Sequence, residues 1–546
     1  MAVYDFYGNV IEEASAVHID TLKIKYPSYT DDQLLAAAIT LAKEQGKTTK
    51  IIWDGSAIHF SGQTTHVCDG FGGIDFNGSK IYMPDYTGEP ILSIVPADAA
   101  DLTIQASDIY DTYTTAESLK GKIFKINEAK VGHSDMCLGY RYGDSSEVTL
   151  YAAPLIKASE NGHYETGDLY LVPESGTVTC YNVHKYPAVR FEVCNATVIT
   201  SPTENATVLV DCWRSNVHVH DFVLEGQSET TEFYWGIFVF TACCDIEVDH
   251  ISGIAPVKRS YTSGYFLAFR SNSFCYLHDI FVGDITSWGA IGCRYIAEMT
   301  FERCYLNRWD CHFAQFGTNV ARNCVFNEIL YGLGNGNLIF EHCTIIRNVN
   351  PVNVVSLVYM RSDCPGVYDG NIIIRDCEFI LGSLPASLIR IWLDNSANAK
   401  TANSAVSGSP EKLRLLENCQ LPDGIHSVIK TGTTTDADRN MFNNLSYKIK
   451  NTNIDCTDAV ISAESGNEVK EVEIDGCTVN GDTIKSLVCN LKVKDCELAN
   501  ITTNVTIPNL VATGNVFSGT QAVSSFTAYA LAGNIASDMA SVNKHS

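Results

Sequence analysis

Two carboxylates and two arginines near the middle of the chain have the types and spacing that suit chemistry. Asp310 and Glu328 follow, by six and four residues, two recurring positions occupied by Cys304 and Cys324. Glycoside hydrolysis needs one carboxylic acid to protonate the leaving oxygen and one carboxylate as base or nucleophile. The two stand about 5–5.5 Å apart in retaining enzymes and about 6.5–9.5 Å apart in inverting ones. Residues on neighbouring layers of a stacked chain meet such distances almost automatically, so the pair fits the reaction without specifying it. Asp284 and Glu298 are reserves, and each acid alone also reads as a solvated surface group. Arg270 and Arg294 each lie ten residues before a recurring position, as Thr241 does, so the three should share one column. Two guanidinium groups one layer apart repel. Such a column asks for an anionic neighbour or ligand.

Four of the six tryptophans, Trp213, Trp235, Trp288 and Trp309, lie in this part of the chain, with Tyr234, Tyr261, Tyr265 and Tyr295. Exposed rings stack on the apolar faces of sugars, which makes 230–335 a candidate carbohydrate groove. Trp288, Trp309, Tyr295, His312 and Gln315 join Arg270 and Arg294 as expected binding residues; the competing reading places the rings in the core. β-Elimination from a uronic acid would use an arginine or lysine base, often with Ca²⁺ held by several carboxylates. No acid cluster suggests calcium and no Cys-x-x-Cys or Cys/His spacing suggests zinc, so neither metal nor cofactor is expected. His218, His220, His250 and His278 read as turn or core histidines.

The recurring positions belong to a phrase that returns from Asn216 to Ala536: a β-branched alternation, one or two polar residues, one small or apolar residue, then a second short strand. Val472–Cys477–Val479 and Leu491–Cys496–Leu498 are examples. The tracked position runs Phe222, Ile251, Ile280, Cys304, Cys324, Cys343, Cys377, Cys419, Asn453, Cys477, Cys496, Asn515, Asn534, the last four spaced 19 residues apart. A period near 20 with two or three short strands is too short for a propeller blade and lacks a leucine-rich consensus. One turn of a right-handed parallel β-helix fits, with like residues stacked at about 4.8 Å. A sandwich of hairpins has no reason to repeat one residue type in register.

The bulk numbers agree. The 546 residues carry a net charge of −25, which argues against nucleic acid as partner. No apolar run approaches about 18 residues, so no membrane span is expected. The chain holds 20 cysteines, seven of them at the tracked position, where they serve as small buried hydrophobes rather than a disulfide framework. Met1 to Phe6 has no basic and apolar signal-peptide pattern, so synthesis in a host cytoplasm without export is expected.

Taken in order, 1–29 reads as an attachment segment. Residues 30–85 read as a capping helix and the first coils, with Thr30 and Gln33 forming a capping box and Gly46 stopping the helix. Residues 86–200 read as a β-rich insertion whose strands include 120–126, 147–153, 167–172 and 176–183. Residues 201–535 read as the β-helix and 536–546 as a tail. The helix theme from Asp32 through Leu35, Ala38, Ile39 and Ala42 to Gly46, then Ile51-Ile-Trp-Asp-Gly55 with Ile58, then Asp75-Phe-Asn-Gly-Ser-Lys-Ile81, resembles the opening of pectate-lyase-like β-helices. The similarity is strongest to those of bacteriophage tailspikes. The Gly-His-Gly and Arg-Ile-Lys signatures of polygalacturonases in that superfamily are missing. The resemblance implies a homotrimer on a virion tail, in contact with other virion proteins through the N-terminal segment. It also implies binding and cleavage of a bacterial surface polysaccharide, by hydrolysis ahead of elimination. The alternative is a non-catalytic receptor-binding or structural appendage with the same fold.

Overall fold

The computed structural model describes residues 2–4, 10–13, 15–85, 88–105, 122–126, 155–157, 177–201, 208–226, 236–254, 265–283, 291–347, 353–360, 368–394, 412–431, 445–499, 501–518 and 523–536. They divide into two compact units, Met1–Ala129 with Ala152–Asp310, and Lys130–Tyr151 with Cys311–Ser546. Both consist of turns of a right-handed parallel β-helix, and the strands of each coil pair in register with those of the next.

The first unit begins with helix α1, Ile19–Lys25, and helix α2, Asp31–Gln45. The sequence starts and stops α2 as expected. The Thr30 hydroxyl accepts the Gln33 N–H, the Gln33 side chain accepts the Thr30 N–H, and Gly46 at φ 115° ends the helix. Leu34, Leu35, Ala38, Ile39 and Ala42 are buried, and Leu41 is half-buried. Burying an aliphatic side chain is worth about 1.5–3 kcal/mol, so this face outweighs the exposed polar one. The first-turn acids pin the helix to the coil: Asp31 accepts the His59 N–H at 2.7 Å, and Asp32 the Ser61 N–H at 2.9 Å.

The tracked column is real in both units. In the first it starts two coils earlier than the sequence suggests, running Ser79, Ala196, Phe222, Ile251 and then, by the register of flanking pairs, Ile280 and Cys304. In the second it passes through Cys324, Cys343, Cys377, Cys419, Thr452, Cys477, Cys496, Asn515 and Asn534. Thr452, not Asn453, holds the position, because its hydroxyl accepts the Cys419 N–H at 3.3 Å. The same bond recurs up the stack from Cys496 N–H to Asn515 Oδ1 and from Asn515 N–H to Asn534 Oδ1, each 3.0 Å. A small side chain with a polar tip thus caps the amide of the coil below. Every cysteine among the described residues is a buried free thiol. Burial pushes Cys194 and Cys456 up to about 12, so these thiols stay protonated.

The residue before each tracked position is left-handed: Gly78, Asn195, Asp221, His250, Asp279 and Arg303 in the first unit, and Asn323, His342, Asp376, Asn418, Asn451, Gly476, Asp495, Gly514 and Gly533 in the second. One αL residue turns the strand through a corner and points the next side chain inward. This requirement explains the frequent Asn, Asp and Gly at that place.

Within 86–200 the structure separates two things that the sequence had merged. Ala100–Gln105, Lys122–Ile126, Leu155–Lys157 and Thr177–Lys185 form a four-stranded antiparallel sheet, the inserted element. Leu92–Ile94 and Phe191–Ile199 instead take parallel places in the coil. The strands expected at 147–153 and 167–172 lie outside the described residues.

The second unit buries a charge pair. Arg414 Nε meets Asp394 Oδ2 at 2.8 Å with both side chains closed to solvent. Arg414 also donates to the Tyr368 and Gly370 carbonyls. Asp394 accepts from the Tyr331 and Tyr447 hydroxyls at 3.1 and 2.9 Å, and Trp392 donates to Tyr331 at 3.0 Å. Buried ions are costly unless paired and hydrogen-bonded throughout. Here they are.

Candidate functional site

In the first unit, Val210–Cys212, Phe238–Thr241, Leu267–His278 and Ile291–Glu302 stack in parallel. Cys212, Phe240, Phe269 and Cys293 align on the buried side. Alternation turns Asp211, Val239, Ala268 and Gly292 away from that side in one column, and Thr241, Arg270 and Arg294 in the next. Val239, Ala268, Gly292 and Thr241 are themselves covered, which leaves Asp211 and the two arginines half-buried. The expected arginine column is therefore present, with Thr241 beneath it. Both arginines are half-buried.

Asp211 is the acid on this face, and sequence reasoning missed it. Its carboxylate accepts the Trp213 indole N–H at 2.9 Å. Burial raises its pKa above the ordinary 3.8, against the opposing pull of Trp213 and of Arg270. A half-buried carboxyl within the field of Arg270 can hydrogen-bond an incoming hydroxyl or, when protonated, donate to it. Its signal was faint: one Asp between Val210 and Cys212, meaningful only once the coils are stacked.

The expected acid Asp310 sits elsewhere. It is closed to solvent, accepts the Tyr265 hydroxyl at 2.9 Å and lies 3.3 Å from Arg308 Nη2. The Tyr265 ring in turn covers Gly292, where a Cβ would come within 2.3 Å of it. The Asp310 carboxylate, with no exposed surface, thus holds Tyr265 over this part of the coil. Trp309 is also buried, 4.7 Å from the Phe301 ring, so it packs the core and offers no sugar platform. In the second unit Gln315 is buried, and half-buried Glu328 is ion-paired with Arg347. Trp288 and Asp284 lie outside the described residues, as do the side chains of Tyr295 and His312.

A second outward face of the first unit carries titratable groups. His218 and Glu247 are register partners, as are His220, Asp249, His278 and Glu302 in succession. Asp249 is bonded by both His218 and His250. His278 meets Glu247 at 3.2 Å through Nε2 and Asp279 at 2.8 Å through Nδ1. Arg190 pairs with Glu247, and Arg303 with Asp279 and Glu302. Burial depresses His218 despite its bond to Asp249; His250, mostly exposed, is raised by Asp249. These bonds outweigh burial and hold Asp249 itself below the usual carboxylate range.

His218, His220 and Asp249 place donor atoms within 4.8 Å of one another, as do Glu247, Asp249 and His278, so either set could hold a divalent cation. Spacing along the chain hid these sets, because their members lie on successive coils. The histidines themselves are neither core nor, apart from His250, at a left-handed corner.

The fold is similar to that in the crystal structure of the tailspike gp61 of Pseudomonas phage phi297, with a TM-score of 0.50 and 10% identity over 85% of this chain and 79% of that one. Weaker likenesses extend to two further tailspikes. The gp54 tailspike of Acinetobacter baumannii bacteriophage AP22, solved with A. baumannii capsular saccharide, has a TM-score of 0.45 and 12% identity over 90% of this chain and 79% of that one. The gp49 tailspike of Pseudomonas phage LKA1 has a TM-score of 0.39 and 14% identity over 95% and 82%. At such identities the likeness is one of fold. No protein-family profile matches the chain, and no curated protein does.

Proposed function

We propose that this chain is a phage tailspike-like protein that binds a bacterial surface polysaccharide across the face bearing Asp211, Trp213, Arg270 and Arg294. The observation that carries the reading is the similarity of fold to the phi297 tailspike. The face adds chemical sense. An indole, a carboxyl and two stacked guanidinium groups supply a ring for a sugar's apolar side and donors for its hydroxyl and acidic groups. A homotrimer mounted on a virion tail through residues 1–29 belongs to the same reading, and light scattering of the purified chain checks its trimeric part.

Cleavage by hydrolysis is the second part of the reading, with Asp211, the half-buried carboxyl bonded by the Trp213 indole on this face, as its acid. The test is incubation with capsule or wall glycan from candidate hosts. New reducing ends without ultraviolet absorbance of an unsaturated uronate indicate hydrolysis, both together indicate elimination, and retained binding with neither indicates a non-catalytic appendage. Arg270→Ala with Arg294→Ala should weaken glycan binding at least about tenfold, the loss of two charge-assisted contacts. Asp211→Asn should slow hydrolysis by about 10²–10⁴ with binding retained. Glycan binding unaffected by the double arginine variant would remove the face from the proposal.

A further inference from the structure

A cavity of about 350 Å³ opens in the first unit, with Arg214, Lys47, Lys185 and Asp98 on its lining and Phe71 and Tyr186 among its walls. Arg214 is only 7% exposed. Its Nη2 donates to the Val189 carbonyl at 2.5 Å, and the guanidinium lies 5.4 Å from the Phe191 ring, a cation–π contact. Among the described residues its Nε has no hydrogen-bond partner and no carboxylate forms an ion pair with the group. That differs from Arg308 and Arg414, the other deeply buried arginines, which each meet an aspartate.

Burial works against the Arg214 charge. A guanidinium removed from water without a counter-ion is costly, and leaving its Nε–H unmet adds to that cost. The lining compounds the imbalance: three cations face one acid, and Asp98 already accepts the Lys185 backbone N–H at 3.3 Å. All this stands in a chain of net charge −25, so the positive cavity runs against the general field.

We infer that this cavity binds a carboxylate-bearing ligand of monosaccharide size, with Arg214 at its base and Lys47 and Lys185 flanking the anion. A planar guanidinium matches a carboxylate's two oxygens, the volume suits one sugar ring, and Phe71 offers an apolar wall. The inference does not depend on the Trp213 face or on cleavage. It would hold for a free uronate as for a uronate unit in a polymer.

The experiment is calorimetric titration of the full chain with D-glucuronate, with inorganic phosphate, and with methyl glucoside as the neutral control. Glucuronate should bind with an affinity that falls as salt rises, and methyl glucoside should not. Arg214→Met should weaken glucuronate at least about tenfold, as loss of a charge-assisted pair does, with an unchanged circular dichroism spectrum. Lys47→Ala with Lys185→Ala should weaken it several-fold and flatten the salt dependence. If Arg214→Met fails to fold, the lysine pair decides, and unchanged affinity there overturns the inference. Absence of glucuronate binding to the wild-type chain overturns it, as does phosphate binding that excludes glucuronate. Polymer binding lost through Arg270 and Arg294 while glucuronate still binds would separate this cavity from the proposed glycan face.

Discussion

Two residues before each ladder position, the two units carry the same alternation of charge built from different side chains. In the second unit the column reads Arg322, Glu341, Arg375, Glu417, Lys450, Asp475, Lys494, each in register with the next. Arg322 meets Glu341 at 3.0 Å, and Arg375 meets Glu417 at 3.0 Å. In the first unit the equivalent column reads His220, Asp249, His278, Glu302. Parallel stacking brings like positions to about 4.8 Å, where like charges repel and opposite charges attract, so alternation is required in both. Arginine and lysine keep theirs at every ordinary pH, whereas imidazole gains its charge only in acid. In this column the second unit alternates fixed charges, and the first alternates carboxylates with imidazoles whose charge can be switched.

The contrast can be broken most severely where the second unit carries fixed charge into its core. Arg414→Met leaves Asp394 buried with two tyrosine hydroxyls and no cation, and should cost about 3–5 kcal/mol, read as a lower urea midpoint. Adding Asp394→Leu should recover most of the loss. In the first unit Asp249→Asn removes the carboxylate shared by His218 and His250 and should cost about 1–3 kcal/mol near neutral pH.

The pH dependence sharpens the same point. His250 is raised by Asp249, so its stabilisation is complete below the ordinary value of 6.5 and is lost as pH rises through the higher folded value. His218 is depressed, so its share is present above 6.5 and is lost as pH falls through the lower folded value. Unfolding curves of wild type and His250→Ala should therefore converge as pH rises above 6.5. Glu341→Gln in the second unit should cost under about 1 kcal/mol, the same at pH 6 as at pH 8, and less in high salt. The smallest effect is expected at the corner: His342→Gly relieves a left-handed residue at φ 53° and should gain at most about 0.5 kcal/mol.

The fold was legible because stacking repeats a local requirement. A corner residue, an inward small residue and a short alternating strand recur in the chain as they recur in space, so Cys477, Cys496, Asn515 and Asn534 announce their own column. The arginine column was legible for the same reason, by counting back from each position. The error at Asn453 was one residue, where two polar neighbours compete and only the Thr452 hydroxyl reaches the Cys419 amide. The burial of Asp310 was not legible, because alternation does not say which residues are then covered. Tyr265, 45 residues away, closes over that carboxylate.

The sequence by itself determined the coil, its period, the helix that begins it, and which residues share a column, because each rests on backbone pairing and on side-chain alternation within about 20 residues. Only the tertiary structure decided which acids are covered, which arginines meet a carboxylate, and that four histidines crowd around Asp249 and Glu247. Those outcomes depend on contacts between coils and on what lies over them, and a register of positions along the chain does not contain that distance.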